Sequence, residues 1–141
     1  ETGLEVLPEN PPGHVYLGDL HLLDFFARVC ELADTGMLLD AAHLAIYQTA
    51  TGQSPLTGLD GFPCERIVEM HVAGASLVDV DGLRIIEDDH NTRVLPDTWQ
   101  IVDTVIPHAR ELRAVVFECE RNPLDEAVVG FETLAKRLQS S

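Results

Sequence analysis

Short apolar runs that each end in an acid or a histidine set the pattern of this chain. Met37-Leu38-Leu39 opens after Gly36 and runs into Asp40, with His43 three residues further on. Leu4-Glu5-Val6-Leu7 leads to Pro8-Glu9, Ile67-Val68-Glu69-Met70 to His71, and Ala114-Val115-Val116-Phe117 to Glu118. Such short, nearly continuous runs predict strands of a parallel sheet covered on both faces. Between them the apolar positions change to helical spacing. Leu22, Phe25, Phe26, Val29 and Leu32 predict one helix, capped by Asp19 and stopped at Thr35-Gly36. Leu44-Ala45-Ile46-Tyr47 starts a second, before a loop from Thr49 to Pro63. Trp99, Ile101, Val102, Val105 and Ile106 mark a third, begun at Leu95-Pro96, and Leu124 to Leu138 forms the fourth, with Lys136 and Arg137 at its C-terminus. Ile85 to Thr92 reads as an acidic loop bearing His90.

Four strand–helix alternations predict an α/β fold with a parallel sheet. Right-handed crossovers then bring every strand exit to one face, where a barrel of this type does its chemistry. Four units are half of a (β/α)8 TIM barrel, so residues 1–141 are expected to form a single C-terminal half-barrel domain. A half-barrel exposes two sheet edges, and the expectation is a missing N-terminal half or self-association.

Composition narrows the partners. There are 9 Lys and Arg against 24 Asp and Glu, a net charge of −15, which argues against a nucleic-acid surface. No apolar run approaches the ~20 residues of a membrane span. Cys30, Cys64 and Cys119 form no CxxC pair, and no basic-then-apolar leader opens the sequence as given; a reducing cytoplasm is the expected location. Cys30 and Cys119 read as small buried hydrophobes.

The strand ends supply the chemistry. Glu9, Asp40 and His71 follow one another at intervals of 31 residues, one strand–helix unit each, and Glu118 lies 47 beyond His71. The longer third interval holds an insertion carrying Asp88 and His90. Carboxylate and imidazole together suit iron, manganese or zinc. His14, His21 and His108 have no such partners and read as surface residues, and Glu120 and Asp89 as outer or solvated acids. The small residues Val72-Ala73-Gly74-Ala75-Ser76 allow a backbone or ligand to approach closely.

Four blocks together carry a resemblance: Leu38-Leu39-Asp40-Ala41-Ala42-His43, Val68-Glu69-Met70-His71-Val72-Ala73-Gly74, Asp88-Asp89-His90 with Leu95-Pro96-Asp97-Thr98-Trp99, and Val116-Phe117-Glu118. In order and spacing the chain resembles the C-terminal half of the multinuclear non-heme iron-dependent oxidative enzymes. These are TIM barrels of the xylose-isomerase-like superfamily, which include the iron enzyme of methanobactin biosynthesis. The resemblance implies metal ligands at Glu9 (bridging), Asp40, His43, His71, Asp88, His90 and Glu118, with Glu9, Asp40 and Glu118 catalytic. It also implies two or three iron ions, dioxygen, a precursor peptide modified at cysteine in natural-product biosynthesis, and a small leader-recognising partner protein. Two departures stand out: Cys119-Glu120 replaces the usual aromatic–acid pair, and the N-terminal strands that supply further histidines are absent. A divalent-metal sugar isomerase or epimerase on Glu9, Asp40, His71 and Glu118 is the alternative enzyme. A non-catalytic metal-binding or assembly half-barrel is the alternative outside catalysis.

Overall fold

The computed structural model describes residues 3–13 and 18–139. Helix α1 (Leu22–Ala33) is followed by strand β1 (Met37–Asp40), helix α2 (Ala41–Ala50) and a long strand β2 (Ile67–Val80). Strand β3 (Leu83–Asn91), helix α3 (Pro96–Val105), strand β4 (Ala114–Glu118) and helix α4 (Leu124–Leu138) complete the chain. The first half of β2 is the centre of a parallel sheet, paired with β1 on one side and β4 on the other. Its second half pairs antiparallel with β3. Among the described residues the architecture is α/β with a parallel sheet and four α-helices, compatible with part of a TIM-barrel-like unit.

Alternation along the strands separates core from site. Leu39, Met70, Val72 and Phe117 point one way and are buried among Leu23, Phe26, Leu44, Ile101 and Val102. Asp40, His71 and Glu118 point the other way. At roughly 1.5–3 kcal/mol for each large apolar side chain taken from water, the helix-facing layer stabilises the sheet on which the acids sit. The inner face is less covered, with Val116 37% exposed.

The structure corrects several expectations. Residues Leu4 to Leu7 form no strand: Leu4 and Val6 are exposed, and pairing shrinks to one parallel bridge between Glu9 and Leu38. Leu38 N–H donates to the Pro8 carbonyl at 3.1 Å, but Pro8 has no N–H to return. The α1 cap is His21, whose Nδ1 accepts from Leu23 N–H at 3.2 Å, while Asp19 lies exposed. His21 is therefore a structural residue and not a surface one; Gln48, 3.3 Å from its Nε2, ties it to α2. The buried stripe of α1 runs through Leu23, Phe26 and Cys30, leaving Phe25 and Leu32 exposed. The left-handed Asp34 at φ 47° ends this helix. His108 is exposed as expected, and His14 lies outside the described residues.

The expected loop around His90 is strand. β2 and β3 form a hairpin turned by Asp81 (φ 54°) and Gly82 (φ 82°), the left-handed pair of a type I′ turn. Asp79 Oδ1 accepts from Gly82 N–H at 2.9 Å and closes it. Asp-Gly between Val78-Asp79-Val80 and Leu83-Arg84-Ile85 was a readable hairpin signal that the apolar-run pattern passed over.

Candidate metal centre

Asp40 lies opposite His71 in the β1–β2 ladder, and Glu118 lies opposite Ala73, one step along the same face. The parallel register thus sets the acid and imidazole side by side. Asp40 also caps α2, its Oδ1 accepting from His43 N–H at 2.8 Å. The cap places His43 beside it, within the first turn. Asn10, fully buried, brackets Asp40: its amide donates to the Asp40 carbonyl and its carbonyl oxygen accepts from Asp40 N–H, each at 2.9 Å. A side chain thus substitutes for the missing strand ladder and holds Glu9 against the site. Asn10 was not singled out from sequence, since nothing marks it there but its place beside Glu9.

Three histidines face inward, and each is held from behind. His43 Nδ1 donates to the Asn10 carbonyl at 2.8 Å, turning Nε2 toward Asp88 Oδ2 (2.9 Å) and Asp40 Oδ2 (3.4 Å). His71 Nε2 donates to Glu69 Oε1 at 3.0 Å, turning Nδ1 toward Glu118 Oε1 (3.2 Å) and Glu9 Oε1 (4.0 Å). His90 Nδ1 donates to Glu120 at 2.9 Å, turning Nε2 toward Asp88 Oδ2 (3.5 Å) and Glu118 Oε2 (3.8 Å). A ring nitrogen engaged as a donor leaves the other with a lone pair when the ring is neutral. Glu69 is the other contributor not singled out from sequence; only its i, i+2 relation to His71 on a strand marks it.

Asp88 and His90 reach the cluster through an irregularity. Gly74 pairs with Asn91 and Ser76 with Glu87, so the single residue Ala75 faces Asp88, Asp89 and His90. This bulge re-aims both side chains inward, a common use of bulges beside sites. His90 sits in the left-handed region, at φ 50°, and Asn122 donates to its carbonyl at 2.6 Å. Asn91 closes the bulge by donating to Asp89 (2.6 Å) and Ser76 (3.0 Å), so Asp89 is a brace of the hairpin. The approach expected at the small residues is a backbone one. A Cβ at Gly74 would lie 2.2 Å from the Asn91 carbonyl oxygen.

Burial pushes the Asp40 carboxyl up to about 7, against the lowering effect of His43. Burial by itself would lower His43, but its hydrogen bond to Asp88 and the charge of Asp40 raise it to about 9. Asp88 goes the other way: burial opposes ionisation, and His43 and His90 nonetheless hold its pKa below the ordinary carboxylate range. His90 is raised, burial opposing and Glu120 leading the groups that favour the cation. Without metal, then, protons occupy positions between imidazole and carboxylate that a cation can take instead.

The donors fit that role. Asp40 Oδ2, His71 Nδ1 and Asp88 Oδ1 are buried without a hydrogen-bond partner. Three overlapping groups have ligand atoms all within 4.8 Å of one another: Glu9–Asp40–His43, Asp40–His71–Glu118 and His43–Asp88–His90. All seven residues marked in the sequence meet there. Mixed nitrogen and oxygen donors suit a transition metal or zinc better than calcium or magnesium.

Fold and cluster together define an α/β protein whose parallel strands end in a set of residues competent to hold metal. The comparisons name its kin. The chain belongs to the family described as RiPP precursor modification enzyme MbnB/TglH/ChrH, whose model matches residues 5–138. It is 34% identical over 101 residues to a UPF0276 protein of Acaryochloris marina, covering 70% of this chain and 35% of that protein. It is 28% identical over 106 residues to one of Caulobacter sp., covering 74% and 38%. Against one of Caulobacter vibrioides it is 23% identical over 138 residues, covering 94% and 47%. The chain thus spans about a third to a half of the length of these relatives. The resemblance read from the four sequence blocks is correct. Among the described residues no helix is long and apolar enough to cross a membrane.

Proposed function

We propose that this chain is the C-terminal half of a (β/α)8 barrel enzyme that modifies a precursor peptide, at cysteine, with two or three iron ions and dioxygen. The observation that carries the reading is the convergence of seven ligand-type residues into three overlapping groups. In this reading Asp40, His71 and Glu118 would hold one ion and His43, Asp88 and His90 another, with Glu9 beside Asp40 and His43. Manganese or zinc would suit the same donors. Bound iron would supply the electron transfer to dioxygen.

The chain's own groups bind, orient and move protons. Asp40 is fully buried and keeps its proton into the neutral range unless a cation replaces it, Glu118 is 22% exposed, and Glu9, at 42%, is the most exposed of the three carboxylates. Glu9 is therefore the group placed to accept a proton from an arriving thiol. Family membership supports a peptide substrate over the sugar of an isomerase, and the hairpin pair Asp88 and His90 supplies ligands that a single-metal epimerase does not need. The incompletely covered inner face supports an N-terminal half, or a second copy, completing the barrel, with a small leader-recognising partner acting alongside it in the cytoplasm.

Anaerobic iron loading of the full protein, followed by metal analysis and mass spectrometry of a precursor peptide exposed to oxygen, tests this. We expect more than one iron per chain and an oxygen-dependent mass change. Equal iron uptake by wild type and by a variant with alanine at Asp40, His71 and Glu118 would refute it.

A further inference from the structure

We infer that Glu69 and Glu120 are positioning residues, each holding one site histidine so that its free ring nitrogen faces metal, and each serving a different ion. Glu69 serves the Asp40–His71–Glu118 group, and Glu120 serves the His43–Asp88–His90 group. The inference rests on the proposal that these groups hold metal, and deepens it.

Glu69 precedes His71 by two residues on β2, so strand alternation puts both on the inner face. Its Oε1 accepts a hydrogen bond from Nε2–H at 3.0 Å, which fixes the tautomer and leaves the buried Nδ1 without a hydrogen-bond partner, 3.2 Å from Glu118. The Glu69 carboxylate lies behind the ring, on the nitrogen turned away from Asp40 and Glu118. It is an orienting group and not a further ligand.

Glu120 does the same from outside the sheet and with the opposite nitrogen. Both its oxygens reach His90 Nδ1, at 2.9 and 3.1 Å, and Nε2 is left toward Asp88 and Glu118. Glu120 is 59% exposed and lies beyond the end of β4, so it contributes little to the core. Its value is the angle at which it sets a histidine on a left-handed, bulged stretch of β3. His43 needs no such acid because the Asn10 carbonyl does that work. Carboxylates behind metal-binding histidines fix ring orientation and raise ligand basicity, and losing one costs about 10- to 100-fold in metal affinity.

The test is anaerobic titration of the full protein with Fe(II) against a competing chelator, with Co(II) absorption as a second readout. We expect Glu120→Ala to weaken one bound ion by about 10-fold or more and leave the others, with the metal-free melting temperature unchanged. Glu69→Ala should weaken a different ion and alter a different part of the Co(II) spectrum. Glu69→Gln and Glu120→Gln keep an acceptor oxygen at similar reach and should recover most of the lost affinity, and an unchanged metal-free melting temperature in the alanine variants separates loss of orientation from loss of packing. Wild-type affinity in both alanine variants would overturn the inference, as would both weakening the same ion or glutamine variants as weak as the alanine ones. A wild-type protein that binds no iron or cobalt would overturn the metal reading itself, a failure visible before any variant is made.

Discussion

The two histidine groups at the strand ends are held by different kinds of structure. Asp40 and Glu118 stand at the ends of β1 and β4, with His71 between them on β2, and the opposite face of these parallel strands is a buried layer of Leu39, Met70, Val72 and Phe117. Asp88 and His90 stand on a bulge in an antiparallel hairpin, braced by Asn91, Ser76, Asn122 and Glu120. The first group inherits its geometry from the core. The second assembles its geometry from polar contacts, and it ties back to the sheet through the β2–β3 pairing, through His43 on the Asp40-capped helix and through His90 Nε2, 3.8 Å from Glu118 Oε2. A change to one group should therefore be readable without destroying the other.

Asp40→Asn should have the largest effect, because Asp40 belongs to two of the three groups. Asparagine keeps the helix cap, so metal uptake should fall to what the His43–Asp88–His90 group can hold while the fold persists. Asp40→Ala would add the loss of the cap, about 1 kcal/mol. Metal analysis beside a thermal melt separates the two; full uptake by Asp40→Asn would break the division of roles.

His90→Ala comes next. Its side chain lies outside the apolar core, so the metal-free melting temperature should hold while the metal count drops by the hairpin ion. Unchanged stoichiometry would count against separate groups.

Gly74→Ala tests the brace. A Cβ there would meet the Asn91 oxygens at 2.2 and 2.4 Å and the Arg93 carbonyl carbon at 2.8 Å, two of them backbone atoms. We expect destabilisation of about 1–3 kcal/mol in a denaturant titration. Loss of metal should be greater in the hairpin group than at the strand ends.

A smaller effect is expected from pH in the metal-free protein. The folded-state pKa values of Asp40 and His43 are raised, to about 7 and about 9, so folding takes up protons at both. Each contributes stability present at lower pH that is lost as pH rises, Asp40 from about 4 to 7 and His43 from about 6.5 to 9. The chelated protein should melt progressively lower between pH 6 and 9, and saturating metal should flatten that slope. A slope unchanged by metal would separate these titrations from metal binding.

Arg137→Ala provides the smallest change and the control. Arg137 pairs with Asp103 through two contacts of 2.7 Å and stacks 4.7 Å from the Trp99 ring centroid, fastening α4 to α3. Both partners are more than a third exposed, so the loss should be below about 1 kcal/mol and leave metal binding untouched.

Much of this was legible beforehand because parallel strands and their crossovers repeat. The equal intervals from Glu9 to Asp40 to His71 say that these residues occupy equivalent places, and the apolar runs before them say which end they occupy. The last helix was expected from Leu124 to Leu138 and lies there. What misled was local. Pro8 in an apolar run, an imidazole cap in place of Asp19, and Asp81-Gly82 inside an apparent insertion each depend on one backbone group finding a partner.

By itself, then, the sequence determined the alternation of strands and helices, the family, and the seven acids and histidines that the fold brings together. A repeating hydrophobic period records burial, and burial is written residue by residue. Only the tertiary structure decided that Asn10 would take the place of a strand ladder, that β3 would bulge at Asp88–His90, and that Glu69 and Glu120 would stand behind two of the histidines. Those outcomes depend on the register between segments far apart in the chain. A one-residue slip would turn Glu69, Asp88 and His90 to the other face of their strands, and no local pattern records that choice.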